Sequence, residues 1–174
     1  MDQLLLKEIF SQKGALPNDE LKQVSPVMGG SIHNSWCLEL NNGEKYFAKT
    51  CSRHKFPMLV HEADSLSQLN KYTNRSYSKI PKPLWIKELK TSAILVMPWM
   101  NLIEGNQLNL GKGLAFIHKL SSGTDPKEFG WGNDGFIGSE KQQGGWESDW
   151  GRCFVNLRLI PQIKTAKKWG LELN

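Results

Sequence analysis

The chain has 174 residues, 39% of them hydrophobic and seven of them tryptophan, a size and composition that allow one domain with a real core and exclude a disordered segment. No apolar run approaches the roughly 20 residues that cross a bilayer, and Asp2, Lys7 and Glu8 break the apolar start as no signal-peptide core tolerates, so a soluble, cytoplasmic protein with no membrane partner is expected. The formal charge of +5 is spread along the chain, tightly grouped only at Lys164, Lys167 and Lys168, and without a recognition helix, an RNP-like aromatic pair or a zinc finger it points to a small anionic ligand rather than to nucleic acid.

Leu4, Leu5, Ile9 and Phe10 sit at helical spacings and predict a short N-terminal helix ending near Gly14 and Pro17. From Leu21 a short strand leads into Gly29-Gly30-Ser31-Ile32-His33-Asn34. Two further strand-like runs, residues 35–40 and 44–49, flank Asn41-Asn42-Gly43. Asn-Gly between strands is a hairpin signal because both residues tolerate positive φ. Three consecutive antiparallel strands are expected.

After Pro57, Leu59, Glu62, Ala63, Leu66 and Leu69 fall on one helical face. The proline-broken run 80–86 reads as an edge strand, and a charged turn follows at 88–90. Ala93-Ile94-Leu95-Val96-Met97 is continuously apolar, as expected of a strand buried on both faces, and Pro98 stops it. Beyond it, Leu110, Leu114, Ile117, His118 and Ser121 mark a helix over 108–120. Residues 129–145 read as a glycine-rich loop. A last helical stretch, 147–169, is kinked or split at Pro161 and stopped at Gly170.

Certain residues could carry chemistry. Gly29, Gly30 and Ser31 form a strand–strand turn whose backbone amides could approach phosphate with no Cβ in the way, although double glycines commonly serve tight turns alone. Because a strand follows, this is not the turn of a dinucleotide-binding fold. Lys49 closes the third strand and could reach the phosphates of ATP; by itself it reads as an exposed strand-end lysine. Glu62 shifts that balance. On the apolar face of the next helix an unpaired carboxylate is costly, and Lys49 is its natural partner. Met97, Pro98, Trp99 and Met100 follow the buried strand where a kinase-like hinge would offer backbone groups to adenine; core packing explains Met97 and Trp99 equally well.

His118 reads as a core histidine and Arg158 as one member of a buried ion pair. Asp134 and Asp149 read as N-caps. Cys37, Cys51 and Cys153 lack a Cys-x-x-Cys pair and are expected to be reduced thiols. No metal-ligand cluster is present, since His54 and His61 are too isolated.

Taken together, several stretches resemble the fructosamine (ketosamine) kinase family. They are Gly29 to Ile32, the Lys49 strand, residues 62–66, residues 110–118, and above all Phe129-Gly130-Trp131-Gly132-Asn133-Asp134-Gly135-Phe136-Ile137-Gly138 with Gln143 and Trp146. Residues 149–154 and Arg158-Leu159 follow.

The resemblance implies an α+β, protein-kinase-like fold. Residues 1–97 would be a five-stranded antiparallel N-lobe with one main helix. Residues 98–174 would be the hinge and first helices of an incomplete C-lobe. It also implies ATP and Mg2+ as cofactors, a ketosamine acceptor such as a fructosamine or ribulosamine, and a role in deglycation. Gly29, Gly30, Ser31, Lys49, Glu62 and Met97 to Met100 would form the ATP site.

The family's His-Gly-Asp-Leu-Trp-x-x-Asn-type loop, with the catalytic Asp and metal-binding Asn, has no counterpart in the 174 residues. No catalytic or metal-binding residue of the family is therefore expected here, and the chain is expected to be a truncated, inactive form by itself. Trp146, Trp150, Phe154 and Leu159 would then form an exposed apolar face and promote self-association. Two other readings fit the same residues: a non-catalytic nucleotide-binding or regulatory module, and a fragment of an aminoglycoside- or choline-type phosphotransferase. The Gly130-Trp131-Gly132 segment argues against the last.

Overall fold

Alternation of apolar and polar side chains builds a sheet in the first half of the chain. The computed structural model describes residues 6, 7, 9, 10, 20–29, 32–122 and 128–171. Its strands β1 (Leu21–Pro26), β2 (Asn34–Leu40), β3 (Lys45–Ser52), β4 (Trp85–Glu88) and β5 (Ser92–Pro98) form one antiparallel sheet in the order β1-β2-β3-β5-β4. The helix α1 (Phe56–Tyr72) lies between β3 and β4 in sequence. This is the α+β, five-stranded antiparallel architecture expected from the sequence.

The hairpin between β2 and β3 differs in detail from a two-residue turn. Gly43 N–H donates to the Leu40 carbonyl at 3.0 Å, Leu40 N–H donates to the Glu44 carbonyl at 2.9 Å, and Gly43 has φ +85°. The loop is therefore three residues long, with Gly43 supplying a left-handed position. The prolines of 80–86 stay outside the ladder. Only Trp85 onward forms the edge strand, because Pro81 and Pro83 have no N–H to donate.

β5 pairs with β3 on one side and β4 on the other, and residues 92–97 are all buried. Its side chains serve two cores. On one face Ile94 and Val96 join Val24, Leu38, Leu40, Ala48, Leu6 and Phe10. On the other, Ala93, Leu95 and Met97 join Cys51 and Leu59, with Phe56, Ala63 and Leu66 of α1 packed on top. Leu6, Lys7, Ile9 and Phe10 are helical, and Leu6, fully buried, is a core residue that the sequence pattern did not single out. Leu4, Leu5, Gly14 and Pro17 lie outside the described residues. Thr50 is buried among these side chains because its hydroxyl accepts a hydrogen bond from Trp36 Nε1 at 2.9 Å.

The chain divides into two compact units, 1–114 and 115–174, and the division falls inside α2 (Gln107–Ser121). This is later than the end of β5, where the sequence places the change of class at 97/98. The segment read as a glycine-rich loop is instead two small ladders. β6 (Phe129–Trp131) pairs with β9 (Gly145–Glu147), and β7 (Gly135–Ile137) pairs with β8 (Glu140–Gln142). Strands of three residues are too short to display alternation, and their glycines conceal them.

Downstream, α3 (Trp150–Phe154), a π-helical turn (Val155–Leu159) and α4 (Ile160–Lys168) run on continuously. Pro161 sits in the first turn of α4, where no N–H is needed. Gly170 stops the helix: Leu171 N–H donates to the Ala166 carbonyl and Gly170 N–H to that of Lys167.

Gly130 shows what holds the second unit's ladder. It has φ +148°, and a Cβ there would lie 1.9 Å from the Gly145 carbonyl oxygen. Gly138 also has positive φ, +62°, but faces open space. Gly130→Ala is expected to cost about 3 kcal/mol or more, and Gly138→Ala about 1 kcal/mol, in urea unfolding followed by tryptophan fluorescence. Equal losses would show that the close approach is not a constraint.

Candidate functional site

The register of the first three strands decides which side chains meet. On β3, Phe47 and Cys51 face α1 while Ala48 and Thr50 face the opposite core. Lys49 shares parity with Phe47 and therefore points to the α1 side. There its Nζ donates to Glu62 Oε1 at 2.5 Å. The pairing expected from sequence is present. Its environment is wetter than expected: the two side chains retain 27% and 26% of their exposure, so the pair lies at the edge of the core and meets solvent.

The same register places β2 and the end of β1 next to Lys49 in the sheet. Ser35 is opposite Lys49 across the β2–β3 ladder, and Val27 N–H donates to the Ser35 carbonyl at 2.9 Å. Gly29 has φ +104° with nothing within 4 Å of a Cβ position, so the turn leaves room beside it. Gly30 and Ser31 lie outside the described residues.

Two ladder steps from Lys49, Phe47 pairs with Met97. Met97 is buried in the core under α1. Beyond it Pro98 has no N–H, and Trp99 N–H points to the Lys45 carbonyl at 3.4 Å. The Trp99 indole donates to Asn101 Oδ1 at 3.0 Å and its ring lies 6.4 Å from Phe47. Met100 N–H has no hydrogen bond among the described residues. The segment 97–100 thus ends β5, with Met100 N–H left without a protein partner among the described residues.

Other residues singled out by sequence behave differently from expectation. His118 is exposed, not in a core. Among the described residues Arg158 makes no buried ion pair; its Nη1 donates to the carbonyls of Gln143 and Leu157 at 2.8 and 2.9 Å. It ties the π-helical turn to the residue that follows β8. Asp149 does cap a helix, accepting from Arg152 N–H at 2.9 Å. Asp134 does not; it accepts from Gly144 N–H and braces the small ladders. Cys37, Cys51 and Cys153 are buried, unpaired thiols, and burial pushes the Cys37 and Cys51 thiols above their ordinary value. They are poor nucleophiles. A surface groove lined by Ser52, Arg53, His54, Phe56, Pro57, Glu88 and Thr91 contains none of the expected site residues.

Sequence reasoning passed over His33. It precedes β2 with the parity of Ser35 and Cys37, and it is half-buried next to the charges of Glu62, Lys49 and Lys55. Counting back two residues from Ser35, the neighbour of Lys49, would have found it.

Comparison with known proteins bears on this arrangement. The sequence profile of the fructosamine kinase family matches residues 3–174. The chain belongs to the fructosamine kinase family. Among curated relatives, a protein-ribulosamine 3-kinase, chloroplastic, of Arabidopsis thaliana is 31% identical over 151 residues, covering 85% of this chain and 44% of the relative. A probable ketoamine kinase of Enterococcus faecium is 26% identical over 153 residues, covering 86% of this chain and 52% of the relative.

The chain thus spans about half the length of the curated relatives it matches. A solved structure of a candidate fructosamine-3-kinase from Haemophilus somnus superposes with a TM-score of 0.77 at 19% identity, over 97% of this chain and 56% of the other. One from Thermobifida fusca gives 0.72 at 19% identity, over 97% and 54%. This fructosamine kinase family chain therefore shares the fold of those structures. No helix among the described residues is long and apolar enough to cross a membrane.

A quarter-exposed ion pair is screened by water, and pairs of this kind contribute about 1 kcal/mol or less. Glu62→Ala should therefore lower the stability of the chain by no more than about 1 kcal/mol in urea titration. A loss of several kcal/mol would make the pair a structural element of the core instead of a positioning device.

Proposed function

We propose that this is the nucleotide-gripping half of an ATP-dependent ketosamine kinase, a phosphotransferase acting on a hydroxyl of a fructosamine or ribulosamine. The Lys49–Glu62 ion pair carries the reading. Glu62 holds the ammonium of Lys49 where about a quarter of each side chain is open to solvent, a setting in which a cation could meet the α- and β-phosphates. Membership of the fructosamine kinase family supports the acceptor class.

In this reading the phosphates lie against Gly29, Gly30, Ser31 and Lys49, and adenine lies against the backbone of 97–100. Pro98 cannot donate and Trp99 N–H is directed to Lys45, so Met100 N–H is the donor and the carbonyls around it are the acceptors. The residues fit an anionic nucleotide. They do not fit its metal: no group of three or more His, Cys, Asp or Glu side chains that could hold an ion occurs among the described residues. Magnesium, when bound to the nucleotide, neutralises phosphate charge.

No His-Gly-Asp triplet occurs in the 174 residues. The carboxylate that would accept the hydroxyl proton is therefore not supplied by them, and general acid–base help of this kind is worth about 10²–10⁴-fold in rate. We assign these residues nucleotide binding without turnover by themselves.

Mg-ATP at a hundredfold excess over Kd should stabilise the chain by about 2.7 kcal/mol, raising its Tm in a thermal shift assay. Lys49→Ala should lose most of that rise. Equal shifts in both proteins would remove Lys49 from the phosphate site.

The second unit has its own consequence. Trp146 and Trp150 are 54% and 62% exposed, Phe154 and Leu159 are exposed as well, and the Trp150 and Phe154 rings stack at 5.5 Å. Side chains of this size rarely stay bare on a monomer. We propose self-association of the isolated chain through them. Light scattering should give a mass that rises with concentration above 19.7 kDa; a constant monomer mass would contradict it.

A further inference from the structure

Charge is not distributed evenly along the chain. Residues 71–90 hold six basic side chains, Lys71, Arg75, Lys79, Lys82, Lys87 and Lys90, and one acidic one, Glu88; the other 154 residues hold sixteen of each sign. The whole formal excess of +5 therefore belongs to this one stretch. Spacings of three to five residues conceal it from a search for lysine runs.

The fold carries this stretch along one border of the sheet. It runs from the last turn of α1, through the irregular segment 73–84, along β4 and into the turn before β5. All six basic side chains are exposed, and among the described residues none of them pairs with a carboxylate. Glu88 does not offset them, because it is taken at 2.9 Å by Arg53, from outside the stretch. β4 ends the sheet and has a neighbour, β5, on one side only. The opposite border differs: Lys22, the one cation of β1, is paired with Glu39 at 2.9 Å.

Lysines and prolines guard many edge strands against unwanted pairing. That accounts for Pro81, Pro83 and Lys87, but not for Lys71, Arg75 and Lys79, which lie off the strand. Like charges gathered without counter-charges repel one another, at a cost to the folded state.

We propose that this border is a docking surface for an extended, acidic polypeptide segment of a partner protein, laid along β4. The partner class follows from what accompanies the charge. Single-stranded nucleic acid needs exposed rings on which its bases stack. Here Tyr77 is covered by Lys112 and Trp85 by Lys87, each ammonium 5.8 Å from the ring centre, and Phe10 packs 5.7 Å from Trp85. Anionic membranes are held through apolar side chains beside the cations, and Leu84 is the one large apolar side chain exposed in 71–90. An unpaired strand border, in contrast, offers main-chain hydrogen bonds to an extended chain, and the charges around it select which chain. The surface is separate from the Lys49 reading and does not depend on it.

The test titrates the full chain into a labelled peptide of alternating glutamate and threonine, followed by fluorescence anisotropy at low salt. Wild type is compared with Lys79→Glu/Lys82→Glu/Lys87→Glu and with Lys164→Glu/Lys167→Glu/Lys168→Glu, which makes the same change in net charge elsewhere. Wild type and the 164–168 variant should bind within about twofold of each other, and the 79–87 variant at least about tenfold more weakly. The milder set Lys79→Gln/Lys82→Gln/Lys87→Gln, with an unchanged fold by circular dichroism, should lie between them. Added salt should weaken the binding and narrow the differences. A peptide of the same charge interrupted by prolines should bind wild type more weakly, since proline cannot complete a ladder.

Equal losses in the two reversed variants would reduce the effect to net charge, and undiminished binding of the proline peptide would remove the strand border from it. Either result overturns the proposal. So does an absence of peptide binding, or tighter binding of a charge-matched thymidine oligonucleotide or of phosphatidylserine vesicles at the same salt.

Discussion

The burial of β5 on both faces and its pairing on both edges is the constraint from which the rest of the first unit follows. Ile94 and Val96 anchor one core, and Ala93, Leu95 and Met97 anchor the other. A strand with water on neither side cannot slip by one residue without exchanging its two sets of side chains. β3 is locked to it from Tyr46–Pro98 through Ser52–Ser92, and that lock fixes which face Lys49 presents. α1 covers the same face through Leu59, Ala63 and Leu66. Lys49 and Glu62 therefore meet because the hydrophobic register on either side of them leaves them opposite each other. The ion pair is a consequence of the core, not a cause of it.

That ordering explains why a modest interaction can matter for function. With about a quarter of each side chain exposed, the pair adds little to stability. What it supplies is direction: an ammonium held at a defined place on the α1 side of β3. Binding sites depend on such preorganisation more than on net interaction energy, since a lysine immobilised before the ligand arrives loses less freedom when it binds.

Much of this was legible in the sequence. The order of three strands, a helix and two strands follows from period-two and period-3.6 patterns long enough to be counted, and Glu62 stands out because a carboxylate at an apolar-face position needs a partner. The missed features share a physical cause: each depends on a contact far away in the chain or on an element shorter than its own period. β6 to β9 are three residues each and held by glycine close approach at Gly130 and Gly144. Arg158 satisfies backbone carbonyls, which no side-chain pattern reveals. Leu6 takes its place in the core from a sheet that begins fifteen residues later. Asn41-Asn42-Gly43 announced a hairpin but not its length, because that is set by the Leu40–Glu44 hydrogen bond. His33 could have been found from strand parity alone, once Ser35 was placed opposite Lys49.

The central claim is that Glu62 acts on nucleotide only through Lys49. A double-mutant cycle on Mg-ATP affinity, with Lys49→Ala, Glu62→Ala and the two combined, tests it most directly. The account predicts that both single changes weaken binding and that the double variant binds no worse than Lys49→Ala alone. Losses that simply add would mean that the two residues act independently, and the ion pair would not be the device that positions the lysine.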